Sequence, residues 1–211
     1  MRGSHLSIWT LLVPMVASVT WLLMSDVPSM SAAKFNKVVD IGQQAPEWKE
    51  LIGTDDKQYQ MSDWKDAKVL VVVFTCNHCP IARAYEKRLI EYTKEYKDKS
   101  VAIVAISVSK IEADQFEKMK EHAKEHGFNF PYLHDDSQDS ARNWGATRTP
   151  QVFVLDQQRR FAYMGAVDDN MNPSQVTKHY LRNAVDAVLS GKQPEITESR
   201  QIGCAISYEP Q

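Results

Sequence analysis

One apolar run that leads directly into a closely spaced pair of cysteines is the feature that most limits what this chain can fold into. Val69 to Phe74 is an unbroken stretch of β-branched and aromatic residues, as expected of a strand buried on both faces. From Asn77 to about Lys97, apolar residues recur at helical spacing between Lys, Arg and Glu. Because Cys76 and Cys79 lie between the two patterns, the sequence predicts a strand that delivers a cysteine pair to the start of a helix.

The predicted position of Cys76 has a chemical consequence. The free N–H groups and the dipole of a first helical turn stabilise an anion, so we expect Cys76 to be rich in thiolate. Thiols in C-x-x-C pairs have pKa values lowered from about 8.5 to roughly 3.5–7.5. Cys79 follows on the same side of the turn, so the two sulfurs can cycle between dithiol and disulfide. A cationic His78 would favour the thiolate further, and Pro80 fits a first helical turn, where its missing N–H costs little.

The remaining patterns predict an α/β domain. A second buried strand at Val101 to Val108 forms a right-handed βαβ unit with the first strand and helix. A hairpin precedes the unit, formed by Trp48 to Ile52 and Lys57 to Gln60. The later predicted elements are a helix over Glu112 to His126, a short strand within Phe128 to Leu133, a brief helix over Ser137 to Trp144, a hairpin of Gln151 to Leu155 with Phe161 to Gly165, and a last helix from Asn172 to about Ser190.

Length and charge narrow the classes of function. The chain has 211 residues, enough for one domain, which we assign to 34–191, with an extension at each end. A formal net charge of −2 without a basic block argues against nucleic acid as a partner. Three cysteines are too few for a disulfide-built scaffold, so the fold must rest on apolar packing.

The two ends of the chain carry separate signals. Residues 1–33 predict a signal peptide or an N-terminal membrane anchor, because Leu6 to Met24 carries no charge and small residues follow. The run has about the 17–25 residues that span a bilayer, so a membrane tether through residues 6–24 is the alternative to cleavage. Either reading puts the domain in the periplasm or cell envelope, where disulfides persist. The mostly polar tail, residues 192–211, contains Cys204 and is expected on the surface.

Four segments together resemble the thioredoxin superfamily, and within it the redoxin branch of alkyl hydroperoxide reductase and thiol-specific antioxidant-like proteins. They are Gly42 to Pro46, Phe74 to Pro80, Arg148 to Pro150, and Gly203 with Cys204. The resemblance covers roughly residues 38–206. It implies a thioredoxin-like α/β fold, with a central mixed β-sheet flanked by helices and an N-terminal β-hairpin extension.

The resemblance also implies a function and site residues. Pro150 would be cis and lie opposite the cysteine pair, while Thr149 would offer backbone hydrogen bonds to an extended substrate. Cys76 would attack a substrate and Cys79 would resolve the mixed disulfide, which makes the chain an exported thiol–disulfide oxidoreductase with antioxidant activity. No organic cofactor or metal is implied. The expected partners are protein or small-molecule disulfides and thiols, and a redox partner that resets the pair.

Three other uses of these side chains stay open. A thiol peroxidase would use Cys79, which precedes a proline, although Cys76 replaces the Thr or Ser that peroxiredoxins have three residues earlier. A binding module could hold copper between Cys76, Cys79 and His134. A structural zinc site would need His122 and His126 as well, but these two lie on a Lys- and Glu-rich helix, where we expect solvated side chains.

Cys204 has two interpretations of equal weight. It could resolve a mixed disulfide on Cys76 or Cys79, or pair with another chain. Alternatively, it is a small buried apolar residue, as free cysteines often are.

Overall fold

The computed structural model describes residues 32–210. Within them the strands are β1 Leu51–Gly53, β2 Gln58–Tyr59, β3 Val69–Phe74, β4 Val101–Ser107, β5 Tyr132–His134, β6 Arg148–Thr149, β7 Gln151–Leu155, β8 Phe161–Gly165 and β9 Cys204–Ala205. The α-helices are α1 Pro80–Tyr96, α2 Phe116–Glu125, α3 Asp139–Asn143 and α4 Tyr180–Leu189. Short 3-10 helices lie at Met61–Trp64, Glu112–Asp114 and Pro173–Gln175.

A seven-stranded mixed sheet organises these elements, in the order β2-β1-β5-β4-β3-β7-β8. Strands β3, β4 and β5 run parallel, while β7, β8, β1 and β2 are joined to their neighbours in antiparallel pairs. The predicted βαβ unit is β3-α1-β4, and the predicted N-terminal hairpin is β1-β2 at one edge of the sheet. The predicted fold class, a thioredoxin-like α/β fold, is confirmed.

Strand β3 is buried on both faces, as its composition predicts. Val69, Val71 and Val73 pack into one apolar cluster, which is completed by residues of α1, α2 and α4. The alternate residues Leu70, Val72 and Phe74 pack into a second cluster with α3 and with the segment before β3. Because apolar side chains leave both faces of β3, helices and loops must cover each side of the sheet.

The last helix begins later than the sequence predicts. Asn172 does cap a helix, since its side chain accepts from the N–H of Ser174 at 3.1 Å, but that helix is only Pro173–Gln175. The Asp169 carboxylate then accepts from the N–H groups of Thr177 and Lys178, at 2.9 and 3.0 Å. This hydrogen bonding holds the chain out of helical conformation until α4 starts at Tyr180.

Two further predictions need correction. The predicted helix from Glu112 is interrupted, because Gln115 is extended with ψ of 155° and α2 starts only at Phe116. The tail does not simply run over the surface, since Cys204–Ala205 pairs with β6 and Ser199 is buried.

The predicted leader, residues 1–33, lies almost entirely outside the described residues. Within residues 32–210, no helix combines the length and the apolar character needed to cross a bilayer.

Candidate active site

The end of β3 and the start of α1 position the cysteine pair. Cys79, not Cys76, is the residue that caps α1, and its sulfur accepts from the N–H of Ala82 at 3.4 Å. Pro80 is the first residue of the helix, as predicted. Cys76 lies three residues earlier, in the loop after β3. It therefore precedes the helix terminus, where the sequence predicts it, by about one turn.

Thr149, the residue before the cis-proline, contacts both cysteine sulfurs. The Thr149–Pro150 peptide bond is cis, as the resemblance implies. The sulfur of Cys76 lies 3.2 Å from the hydroxyl oxygen of Thr149, and the thiol of Cys79 donates to the Thr149 carbonyl oxygen at 3.2 Å. The structure therefore brings together Cys76, Cys79, Thr149 and Pro150, although they come from two distant parts of the chain.

The two thiols differ in ionisation, and in the opposite sense to the sequence prediction. Burial raises the pKa of Cys76 to about 12, against the hydrogen bond from Thr149, and the charge of Asp114 acts in the same direction as burial. Burial also opposes ionisation of Cys79, but hydrogen bonds from the Cys204 thiol and the Ala82 N–H lower its pKa below that of an ordinary thiol. The expectation of a thiolate-rich Cys76 is wrong, and Cys79 is the thiol whose pKa is lowered.

Asp114 is a site residue that the sequence analysis did not identify. It is fully buried, and its carboxylate accepts from the N–H of Asn77 at 2.6 Å and from the N–H of His78 at 3.0 Å. Its second oxygen lies 2.5 Å from Nδ1 of His78. Tyr132 donates to the side chain of Asn77 at 3.0 Å. These contacts hold the loop between the two cysteines in place from its buried side.

His78 lies beside Cys76, as predicted, but its nearest partner is Asp114. One ligand atom from each of Cys76, His78 and Asp114 lies within 4.8 Å of the others. The negative charge of Asp114 raises the pKa of Cys76. The tuning of the cysteine pair by His78 stays a prediction.

Cys204 joins the same cluster from the tail. It pairs with Thr149 across the β6-β9 ladder and packs against Cys76, Cys79 and Ala82. Its thiol donates to Cys79, and this hydrogen bond, with burial, raises the pKa of Cys204 to about 11. The second interpretation, a merely buried apolar residue, is incomplete because Cys204 is only half-buried and packs against the cluster of Cys76, Cys79 and Ala82.

The structure groups the metal-ligating side chains differently from the sequence analysis. His134 stacks on Phe116 and belongs to neither of the two groups of ligating side chains in residues 32–210. Those groups are Cys76 with His78 and Asp114, and Glu86 with His122 and His126. The copper site through His134 is therefore not assembled in this arrangement.

His122 and His126 are only partly exposed and are paired with a buried carboxylate, which corrects the expectation of freely solvated side chains on this helix. Both rings bind the carboxylate of Glu86, at 2.6 Å for His122 and 2.9 Å for His126, and only 12% and 29% of their side chains are exposed. The group joins α1 to α2 and has no cysteine, so it does not complete a zinc site with the C-x-x-C pair.

Several solved structures share this architecture. A hypothetical protein from Sinorhizobium meliloti 1021 is 30% identical, with 86% of this chain and 98% of that chain covered and a TM-score of 0.75. An uncharacterized conserved protein from Geobacillus kaustophilus is 31% identical, with 83% and 96% covered and a TM-score of 0.77. A putative thiol:disulfide interchange protein DsbE from Chlorobium tepidum, 20% identical with 72% and 99% covered, has a TM-score of 0.60 and shows the shared fold.

The family follows from the match to a protein-family model. The comparison with curated proteins gave no match. Residues 40–180 match the protein-family model described as Redoxin, and this range includes the strand, the C-x-x-C pair, Asp114 and the cis-proline. The chain belongs to the Redoxin family and is a thioredoxin-like redox protein.

Proposed function

We propose that this chain is an exported thiol–disulfide oxidoreductase that works through Cys76 and Cys79. The observation that carries the proposal is the meeting of both thiols at Thr149, with their pKa values shifted in opposite directions. Such a pair suits disulfide exchange, because one thiol ionises more readily and attacks while the other keeps its proton until the second step.

The contacts favour Cys79 as the attacking sulfur, which reverses the order of roles that the sequence suggests. The Cys79 thiolate attacks a substrate disulfide, forms a mixed disulfide and releases the first substrate thiol. Cys76 then attacks the sulfur of Cys79 and releases the second thiol, which leaves a Cys76–Cys79 disulfide. The substrate gains two electrons and the pair loses two, so a dithiol partner must reset the pair in the reducing direction.

Cys76 has to lose a proton in the second step, and His78 is the proposed acceptor. The two groups and Asp114 lie within 4.8 Å of one another, and the 2.5 Å contact of Asp114 with Nδ1 of His78 orients the imidazole. Asp114 is thus proposed as a positioning residue. Thr149 and Pro150 keep the role of the substrate-facing ridge that the resemblance gives them.

Export is part of the proposal and rests on the sequence. The leader or anchor at residues 1–33 would deliver the domain to the periplasm or cell envelope, where protein and small-molecule disulfides are available as substrates. Fractionation of cells that express the full chain, followed by N-terminal sequencing, tests both export and cleavage. Recovery of an uncleaved chain in the cytoplasm would rule out this part.

The exchange reaction is tested by mixing the prereduced full-length chain with glutathione disulfide. Wild type should consume one glutathione disulfide per chain and gain a Cys76–Cys79 link, detected by peptide mapping. Cys79→Ser should react about a hundred-fold more slowly, because it lacks the thiolate that attacks. Ser174→Ala, an exposed change, is the matched control. An unchanged rate in Cys79→Ser contradicts the proposal.

A second candidate is a thiol peroxidase, favoured by one observation. Cys79 caps α1 directly before Pro80 and has a lowered pKa, which also suits attack on a peroxide. The Cys79 thiolate would become a sulfenic acid and release water or an alcohol, and Cys76 would condense with it and release water. Peroxide consumption by wild type that Cys79→Ser abolishes supports this activity, whereas turnover unaffected by that change removes it.

A further inference from the structure

The C-terminal segment Gly203–Ile206 lies on the edge where a thioredoxin-like protein would receive an extended substrate. Its Cys204 is paired with Thr149 and its Ala205 with Arg148, in antiparallel register. The N–H of Ile206 donates to the carbonyl oxygen of Thr147 at 2.9 Å, which extends the pairing beyond β9. We call this segment the strap. It fills the backbone positions that Thr149 would otherwise offer to another chain.

The sequence of the strap is fitted to this close approach. A Cβ atom on Gly203 would lie 2.1 Å from the carbonyl oxygen of Thr149, so no larger residue fits there without displacing the strap. Beyond Cys204, the hydroxyl of Tyr208 donates to the carbonyl of Ala146 at 2.6 Å. The buried side chain of Gln138 donates to the carbonyl of Ser207 at 3.0 Å. These two contacts hold the chain just beyond the C-terminal end of the strap.

The strap puts a third sulfur between the solvent and the cysteine pair. Cys76 and Cys79 are 2% and 0% exposed, whereas Cys204 is half-buried and packs against the cluster that they form with Ala82. A reactant in solution therefore meets Cys204 first. The guanidinium of Arg148 donates to the carbonyl of Gly203 at 2.8 Å, so a positive charge also lies beside this position.

We propose that Cys204 is a third redox-active thiol, held by the strap in the position of a substrate sulfur, and that electrons pass between solution and the buried pair through a Cys79–Cys204 disulfide. The proposal rests on the proposed function and refines its first step for small disulfides: Cys204 attacks the external disulfide, and the mixed disulfide that Cys79 attacks is the one on Cys204. It also names a substrate class: small disulfides, which can reach Cys204 without an extended peptide displacing the strap.

Each step of the route is an exchange with balanced atoms and electrons. Cys204, whose proton passes to the Cys79 thiolate, attacks an external disulfide R–S–S–R and releases one RSH, whose proton comes from solvent. Cys79 loses that proton, attacks the sulfur of Cys204 and releases the second RSH, which forms the Cys79–Cys204 disulfide. Cys76 then attacks the sulfur of Cys79, and its proton ends on Cys204. The final products are a Cys76–Cys79 disulfide, a free Cys204 and two RSH.

The Cys76→Ser variant tests the route, because it stops the last step. After treatment of the full-length chain with glutathione disulfide, peptide mapping should recover Cys79 linked to Cys204 within one chain. Cys76→Ser/Cys204→Ser is the matched control and should instead carry glutathione on Cys79, which shows that Cys79 still reacts. Glutathione retained on Cys79 of Cys76→Ser, or a link only between chains, would overturn the proposal.

A second variant tests the effect of the strap's position while the sulfur of Cys204 is kept. Gly203→Val in the Cys76→Ser background should form the internal link about ten-fold more slowly, because its side chain collides with Thr149. Ser174→Ala, at an exposed residue outside the strap, is the control and should not change the rate. An equal rate in Gly203→Val and the control also contradicts the proposal. If the internal link forms in Cys76→Ser but wild type never gains a Cys76–Cys79 disulfide, the proposed function fails and the link itself stands.

Discussion

At the scale of single residues, hydrogen-bond donors decide which sulfur ionises. Cys76 and Cys79 are both buried, so desolvation opposes a charge on either. Cys79 has the N–H of Ala82 and the thiol of Cys204 as donors, and its pKa falls. Burial raises the pKa of Cys76 to about 12 and the buried carboxylate of Asp114 adds to this rise, against the hydrogen bond with Thr149. The same local chain thus holds one thiol with a lowered pKa and one with a raised pKa.

The first prediction concerns the pH dependence of alkylation. Because the pKa of Cys79 is lowered and that of Cys76 is raised, Cys79 should reach half of its maximal rate with iodoacetamide at a lower pH than a cysteine peptide does. Cys76 should reach it only well above that pH. Mass spectrometry of each alkylated cysteine gives the two profiles, with unfolded protein as the control in which both coincide. A lower midpoint for Cys76 than for Cys79 would contradict the assignment.

The second prediction concerns Asp114. Asp114→Asn removes a negative charge that raises the pKa of Cys76, so that pKa should fall, as measured by thiolate absorbance against pH in a Cys79→Ser background. The amide keeps one acceptor for the N–H groups of Asn77 and His78, so the folding free energy should decrease by only about 1–3 kcal/mol. Asp136→Asn, at an exposed aspartate, is the control. A rise in the pKa of Cys76, or no change, refutes the role of the charge.

At the scale of elements, the sequence predicts what short-range patterns determine. Strands β3, β7 and β8 have the predicted bounds, because continuous apolar runs end at clear turn residues. The start of α4 is missed because Asp169 bonds to residues eight and nine positions away, which no local pattern records. Asp114 is missed for the same reason, since its partners in the C-x-x-C loop are distant in sequence.

Cys204 shows which part of the site can be predicted from the sequence and which part cannot. The Gly203-Cys204 pair is a visible signal, because a glycine beside a cysteine permits close approach of the backbone. The residues of a two-residue strand do not predict its pairing partner, so the contact of Cys204 with Thr149 could not be predicted from the sequence. The cysteine pair and the cis-proline were predictable because the family motif contains them.

The third prediction concerns the contact between α1 and α2. The buried carboxylate of Glu86 binds both His122 and His126, so Glu86→Gln leaves the rings with a weaker acceptor. We expect the free energy of unfolding to fall by about 1–3 kcal/mol, measured by denaturant titration. Glu95→Gln removes a half-exposed pair with Arg182 and is the control, with an expected change of about 0–1 kcal/mol. Equal losses in the two variants would contradict the special role of Glu86.

At the scale of the whole molecule, the first described residues contact the tail that carries the strap. The N–H groups of Lys34 and Phe35 donate to the carboxylate of Glu198, at 2.7 and 3.0 Å. Glu198 also bridges to Met164 of β8, so the tail is anchored on the sheet a few residues before Cys204. The segment that follows the predicted leader and the strap that covers the cysteines therefore share one anchor.

The final prediction separates the strap as a cover from Cys204 as a thiol. A chain that ends at Ile202 loses both the cover and the sulfur, whereas full-length Cys204→Ala loses only the sulfur. Because Cys79 is fully buried with the strap in place, truncation should raise its alkylation rate by about ten-fold or more over Cys204→Ala at one pH. The truncated chain should also gain activity on insulin, a protein disulfide, relative to glutathione disulfide, because the edge at Thr149 becomes free for an extended chain. Circular dichroism of both variants controls for folding. Equal alkylation rates in the two folded variants would show that the strap does not restrict access to Cys79.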